Sequence, residues 1–186
     1  MEDDDLIILA AIALVGVVWW WRNQQGSTIT EDLTEGLDSL GDIMTTVQNK
    51  LWFPPAAAKP YLAAIAHAES KYGLPTNLLA RLLHQESRYR QDVITGKTKS
   101  PAGAVGIAQF MPATAKELGV NPLDPFESID GAGRYLQKLY AKFKSWPETL
   151  AAYNWGQGNV SRKGLGSAPT ETKNYFGQIL ADLGMA

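Results

Sequence analysis

Glu86 is a carboxylate at a point in the chain where the charged form is expected to be disfavoured. It closes the stretch Pro75-Thr-Asn-Leu-Leu-Ala-Arg-Leu-Leu-His-Gln-Glu86, in which Thr76 can cap a helix and Leu78, Leu79, Leu82 and Leu83 mark its apolar face. Continuing those rows by three and four residues reaches Glu86, so the helical period carries the acid onto the inward face. Apolar surroundings raise a carboxyl pKa and let the group hold a proton near neutral pH. In that state it can act as a general acid toward a leaving oxygen. The plainer alternative is a surface helix glutamate paired with Arg90, four residues on.

Three further stretches carry residues suited to binding. In Ser100-Pro-Ala-Gly103-Ala-Val-Gly106-Ile-Ala-Gln109-Phe-Met111-Pro112-Ala-Thr114-Ala115, two glycines allow close backbone approach, a polar Gln follows, and Pro112 restarts a helix. In Leu150-Ala-Ala-Tyr153-Asn154-Trp155-Gly156-Gln157-Gly158-Asn159-Val160, aromatics and amides stand where a helix is expected to break into a glycine loop. Such a set suits stacking on sugar rings and hydrogen bonding to N-acetyl groups. Glu171-Thr172-Lys173-Asn174-Tyr175 puts a phenol at the start of the last expected helix. Taken singly, each stretch also reads as a turn, a helix end or a core tyrosine.

The elements that would position these residues are helical. A helix is expected from near Pro60, with Tyr61, Leu62, Ile65, Ala68 and Tyr72 inward and Gly73 as its stop. The Glu86 helix follows, then a short one from Pro112 to Leu118 closed by Gly119. Asp124-Pro125-Phe126-Glu127 has a capping acid, a proline at the first helical position and Glu three residues after the cap. The helix it opens presents Ile129, Ala132, Leu136, Leu139, Tyr140 and Phe143. Pro147 opens another through Ala152, and Pro169-Thr170-Glu171 opens the last, with Tyr175, Ile179 and Leu183 on one face. No run alternates like a strand, so the expected fold class is mainly α.

The 186 residues allow one packed domain plus an appendage, and 45% apolar content with 19% charge is ordinary for a globular chain. Without cysteine there is no disulfide framework, thiolate metal site or thiolate nucleophile. Two histidines, His67 and His84, are too few for a histidine-built metal site and are read as structural. No metal or organic cofactor is expected. Residues 1–58 hold nine acids and two bases, whereas residues 59–186 hold ten acids and fifteen bases. The basic part suits an anionic polymer; its bases are dispersed rather than gathered in a stripe, which argues against nucleic acid.

Leu6 to Trp21 is a run of sixteen uncharged residues ending in three tryptophans, with Arg22 behind them. As a helix it would span roughly 24 Å at about 1.5 Å per residue. The expectation is an acidic N-terminus and membrane anchor over 1–22, with 6–21 in the lipid bilayer. The acidic leader and missing small-residue cleavage site argue against a signal peptide. By the positive-inside rule Arg22 would hold the domain in the cytoplasm, which raises delivery by another route, such as a virion. Residues 23–57 read as a linker whose Leu33, Leu37, Leu40, Met44, Val47 and Leu51 follow a heptad seam. That seam at 33–51 serves self-association, a partner helix, or packing on the globular domain.

Glu86-Ser87, Gly106-Ile107-Ala108-Gln109, Ala152-Tyr153-Asn154 and Tyr175, in this order and at these distances, resemble the motif series of the lytic transglycosylase SLT domain. That domain belongs to the lysozyme-like superfamily, glycoside hydrolase family 23. The resemblance covers about residues 58–184, and the domain is expected over 58–186. One departure is Ile107-Ala108, where many members have Leu-Met; an altered groove shape is expected there. The resemblance implies cleavage of the β-1,4 bond between N-acetylmuramic acid and N-acetylglucosamine in peptidoglycan glycan strands, with formation of a 1,6-anhydro ring. It implies that Glu86 is catalytic, as acid and then base. Ser87 would assist near the acetamido group and Tyr175 would orient Glu86. Gln109, Tyr153 and Asn154 would position sugar, and backbone around Met111 would line the groove.

No second acid recurs in a matched motif, since Asp92, Glu117, Asp124, Glu127 and Asp130 have solvent, cap or linker readings. One acid suffices if the nucleophile is already on the substrate. Competing readings are a goose-type lysozyme-like muramidase that adds water, a non-catalytic peptidoglycan-binding component of a virion or secretion apparatus, and a chitin-active enzyme. The expected setting is the cell envelope, with the domain facing peptidoglycan, or a virion. Wall opening there would serve delivery of a phage genome, apparatus assembly or wall turnover.

Overall fold

The computed structural model describes residues 52–186. A 3-10 turn, Ala56–Tyr61, leads into helices α1 (Leu62–Tyr72), α2 (Leu78–Ser87), α3 (Gln91–Ile94), α4 (Pro112–Leu118), α5 (Pro125–Phe143) and α6 (Trp146–Ala151). Helix α6 continues through a π-helical turn, Ala152–Gly156, into α7 (Gln157–Lys163). A 3-10 turn, Leu165–Ser167, and α8 (Thr170–Asp182) follow. Among the described residues the β pairing is limited to a bridge between Val105 and Phe110, so the mainly α reading holds. The expected membrane anchor at 6–21 and heptad seam at 33–51 lie outside the described residues. Within the described ones, no helix is long and apolar enough to cross a membrane.

Helix α2 is the centre of the packing. Leu78, Leu79, Leu82 and Leu83 are fully buried, each stabilising the fold by about 2 kcal/mol through removal of apolar surface from water. Helices α1 and α8 lie against α2, α5 packs along α1, and α6 packs on both α5 and α8. On α5 the expected face holds, with Ile129, Ala132, Leu136 and Leu139 buried and Tyr140 and Phe143 at its margin. Leu62 departs from expectation and is exposed. The preceding 3-10 turn winds at about three residues per turn, so it shifts the phase of the face before α1 begins.

The stops and caps are mostly local. Gly73 and Gly119 close α1 and α4 in the left-handed conformation. The Asp124 side chain accepts from the backbone N–H groups of Phe126 and Glu127. Glu127 does not complete a reciprocal box; its carboxylate accepts from Asn121 N–H instead. The start of α2 also differs. Asn77, at φ 64°, occupies the cap position without a side-chain bond, and Thr76 does not cap. The buried Glu69 on α1 reaches across and accepts from the N–H groups of Asn77, Leu79 and Ala80. A carboxylate there satisfies the free donors of the first turn and opposes the helix dipole.

Candidate active site

Glu86 lies in the last turn of α2, and the chain turns away just after it. Arg88 and Tyr89 both have positive φ, at 49° and 55°, which ends the helix and takes Arg90 off its surface. Arg90 therefore pairs with Asp92, 2.5 Å away, and the surface-pair reading of Glu86 fails. Glu86 is half-buried, and its carboxyl opens onto two cavities. Among the described residues the Tyr175 hydroxyl is its one hydrogen-bond donor, at 2.5 Å from Oε1. Burial raises the Glu86 pKa from 4.5 to about 7, against the opposing pull of the Tyr175 bond. Tyr175, itself buried on α8, is pushed well above the ordinary phenol range by burial and by the nearby Glu86 charge.

The first cavity, about 580 Å³, is walled by Gln85, Asn154, Glu171, Asn174, Tyr175 and Gln178 around Glu86. The second, about 540 Å³, has Gln109, Met111, Thr114, Tyr153, Asn154 and Trp155 in its wall, again with Glu86 and Glu171. Glu86, Asn154 and Glu171 thus belong to both. The two cavities form a groove with the enclosed acid at their junction. Its lining of amides, aromatics, hydroxyls and one apolar thioether, with the Glu171 carboxylate beside them, is chemically suited to a polyhydroxylated chain.

The expected residues converge, with one exception. Asn154 Oδ1 accepts from the Thr172 hydroxyl at 2.8 Å, which leaves its amide N–H groups for the groove. The Gln109 side chain folds back on its own turn and donates to the Gly106 carbonyl. Met111 is 42% exposed and stands at the wall of the second cavity. Tyr153 lines the same cavity, but its hydroxyl is committed to the Ala108 carbonyl at 2.9 Å, tying the 106–109 turn to the π-helical turn. Ser87 is placed elsewhere: it is buried, donates to the Leu83 carbonyl and accepts from Tyr89 N–H, and lines neither cavity. Its position one residue past Glu86 rotates it about 100° around the helix, toward the helix end rather than the groove.

The turn before Gln109 depends on glycine. Gly106 has φ +80°, and a Cβ there would lie 1.7 Å from the Pro122 carbonyl oxygen. Ile107 and Ala108, expected to shape the groove, are instead fully buried in the core. The expected glycine break after Tyr153 is likewise replaced by the π-helical turn into α7. Such turns widen the helix locally and re-aim side chains, here Asn154 and Trp155.

Four residues of the first cavity were missed in the sequence: Gln85, Glu171, Asn174 and Gln178. Helical phase could have found three of them, since Glu171, Asn174 and Gln178 flank Tyr175 on α8. The acids set aside from the sequence do have other partners: Asp92 binds Arg90, Glu117 binds Lys138 and Asp130 binds Lys71. Glu171 corrects the single-carboxylate picture, because it brings a second, exposed acid to the groove.

Residues 63–176 match the family model of the Transglycosylase SLT domain. The chain is 44% identical over 91 residues to membrane-bound lytic murein transglycosylase F of Serratia proteamaculans, covering 45% of this chain and 18% of that protein. It is 31% identical over 133 residues to the transglycosylase of Enterobacteria phage PRD1, covering 70% of this chain and 45% of that one. Among solved structures it resembles the 70 kDa soluble lytic transglycosylase of Escherichia coli, at 30% identity and a TM-score of 0.55. That likeness covers 66% of this chain and 23% of the other. An inactive mutant of the lytic transglycosylase Slt from Pseudomonas aeruginosa, 21% identical with a TM-score of 0.54, shares the fold. The chain spans less than half the length of each of these proteins.

Proposed function

This chain belongs to the transglycosylase SLT domain family, whose model matches more than half of it, and we propose that it is a peptidoglycan lytic transglycosylase with Glu86 as its acid and base. The carrying observation is a carboxyl with a pKa near 7, bonded to Tyr175, at the junction of two cavities. Protonated Glu86 gives its proton to the glycosidic oxygen between N-acetylmuramic acid and N-acetylglucosamine as the C1–O bond breaks. The acetamido group of the substrate stabilises the positive charge at C1. Ionised Glu86 then takes the proton of the muramoyl 6-hydroxyl while that oxygen bonds to C1. The 1,6-anhydro ring closes, no water is consumed and Glu86 is again protonated. A pKa near the working pH suits both halves of this cycle. Asn154, Gln109 and Met111 position the glycan, Tyr153 holds the groove wall, and Tyr175 orients Glu86.

Glu171 supports a second reading, because hydrolysing glycosidases commonly use two carboxylates. Digestion of purified sacculi with the full chain separates the two. Anhydromuropeptides are expected; muropeptides heavier by one water would instead identify a muramidase. We place the catalytic unit at 58–186, behind the 1–22 anchor and the 23–57 linker. One relative is named as membrane-bound and another comes from a phage. Both support an activity at the cell envelope, carried there by residues 6–21 or within a virion.

A further inference from the structure

Helices α2 and α8 share a second polar contact besides the Tyr175 bond to Glu86: Arg81 Nε donates to Asp182 Oδ2 at 2.6 Å. Arg81 lies five residues before Glu86 and Asp182 seven after Tyr175, so the helices run in opposite senses between the contacts. Helical rise sets the contacts about 7.5 Å apart along α2 and about 10.5 Å along α8. Neither charge serves its own helix. Arg81 stands in the first turn of α2 and Asp182 is the last residue of α8, ends at which the helix dipole disfavours their signs. The Arg81 side chain is 7% exposed, and its Nη1 donates to Gln85 Oε1 at 2.9 Å, beside Glu86 in the chain. Trp52 covers the pair. Its backbone N–H donates to the Asp182 carbonyl at 3.3 Å, and its ring lies 5.8 Å from the Arg81 guanidinium and 5.8 Å from the His84 ring. Burial, with Arg81 and Arg88 nearby, lowers the His84 pKa from 6.5, so that ring stays uncharged at neutral pH. Trp52 and Asp182 both fall outside residues 63–176, the stretch that matches the family model.

We propose that Arg81 is a positioning residue for the reaction: paired with Asp182 and covered by Trp52, it sets the register of α8 on α2 and so keeps the Tyr175 hydroxyl on Glu86. This role rests on the acid–base reading of Glu86 above. An enclosed ion pair adds little net stability, because desolvation offsets its attraction, but it admits few geometries. Tyr175 needs such a constraint, since among the described residues its hydroxyl is the one donor to Glu86. The Arg81 charge is felt at Tyr175, where it opposes the upward push of burial on the phenol pKa. At Glu86 itself the shift comes from burial and the Tyr175 bond. The other titratable side chains in the two cavities are Glu171 on α8, Tyr153 in the π-helical turn and Tyr135 on α5, with no base among them.

The test measures kcat and KM on purified sacculi against pH for the full chain, with unfolding curves alongside. Arg81→Met is expected to lower kcat about fivefold and to raise the alkaline limb by about half a unit, with KM unchanged, as partial loss of a donor to the Glu86 carboxylate implies. In a Tyr175→Phe background the same substitution is expected to add no further shift, because the contact it protects is already gone. Trp52→Ala changes no residue of α2 or α8 and is expected to move the limb the same way by less. A limb that stays in place in Arg81→Met, or in Trp52→Ala where Arg81→Met does not fold, overturns the positioning role. So does a full shift by Arg81→Met in the Tyr175→Phe background. Wild-type inactivity on sacculi overturns the acid–base reading beneath it instead.

Discussion

Two glutamates in this domain are withdrawn from water, and they do opposite things. Glu69 on α1 is 7% exposed and accepts three backbone N–H bonds from the start of α2. Glu86, at the far end of α2, has the Tyr175 hydroxyl as its one donor among the described residues and a cavity on either side. Burial raises both pKa values, and for Glu69 the three N–H groups pull against it. Desolvation alone thus does not make a carboxyl reactive. What separates the two is how many donors hold the charge and whether a substrate can reach it. Glu69 is spent on the helix cap, whereas Glu86 keeps an oxygen and a proton available.

Substituting each acid gives the sharpest contrast. Glu86→Gln is expected to lower kcat on sacculi by about a thousandfold, within the range of a lost acid-base group. Its thermal unfolding should stay cooperative. Comparable turnover in that variant would remove the distinction. The same pair of proteins carries a pH signature. A folded-state pKa near 7 against 4.5 contributes relative stability that is present below pH 4.5 and lost as pH rises through 7. Between those limits wild-type stability should fall by about 3 kcal/mol more than that of Glu86→Gln, at about 1.4 kcal/mol per unit. Denaturant titrations at both pH values measure the difference, and parallel curves would show that burial does not tax the Glu86 charge.

Glu69→Ala should invert the pattern. With three N–H groups left without their acceptor, unfolding free energy is expected to drop by about 2–4 kcal/mol. Turnover per folded molecule should remain near wild type. A stable but inactive Glu69→Ala protein would mean that the cap also sets the geometry of Glu86. The smallest expected change belongs to Tyr175→Phe. Losing a donor to the ionised carboxylate raises the Glu86 pKa further, so the alkaline limb of the pH–rate profile should move up by about one unit, and kcat should fall about tenfold. A profile that stays in place would assign the Tyr175 contact to packing alone.

Several local features could be read before any tertiary structure. The leucine rows of α2 place Glu86 by phase, Asp124 caps α5, and Gly73 and Gly119 stop their helices where expected. The failures had both tertiary and local causes. Thr76 lost the cap of α2 to Glu69, eight residues before Asn77. Ser87 turned to its own helix end, and Ile107 and Ala108 went to the core. Glu171 had the phase to join Tyr175 but looked like an ordinary acid at a helix start.

By itself, then, the chain's order of residues determined the helices, the phase of the catalytic candidate and the family motifs, because these depend on periodicity and short-range capping. Only the tertiary structure decided which acid became a cap, how far Glu86 was desolvated, and that a π-helical turn would set Asn154 and Trp155 beside it. Those properties depend on helices far apart in sequence closing around one carboxyl. Desolvation is a sum over all the atoms that displace water from it.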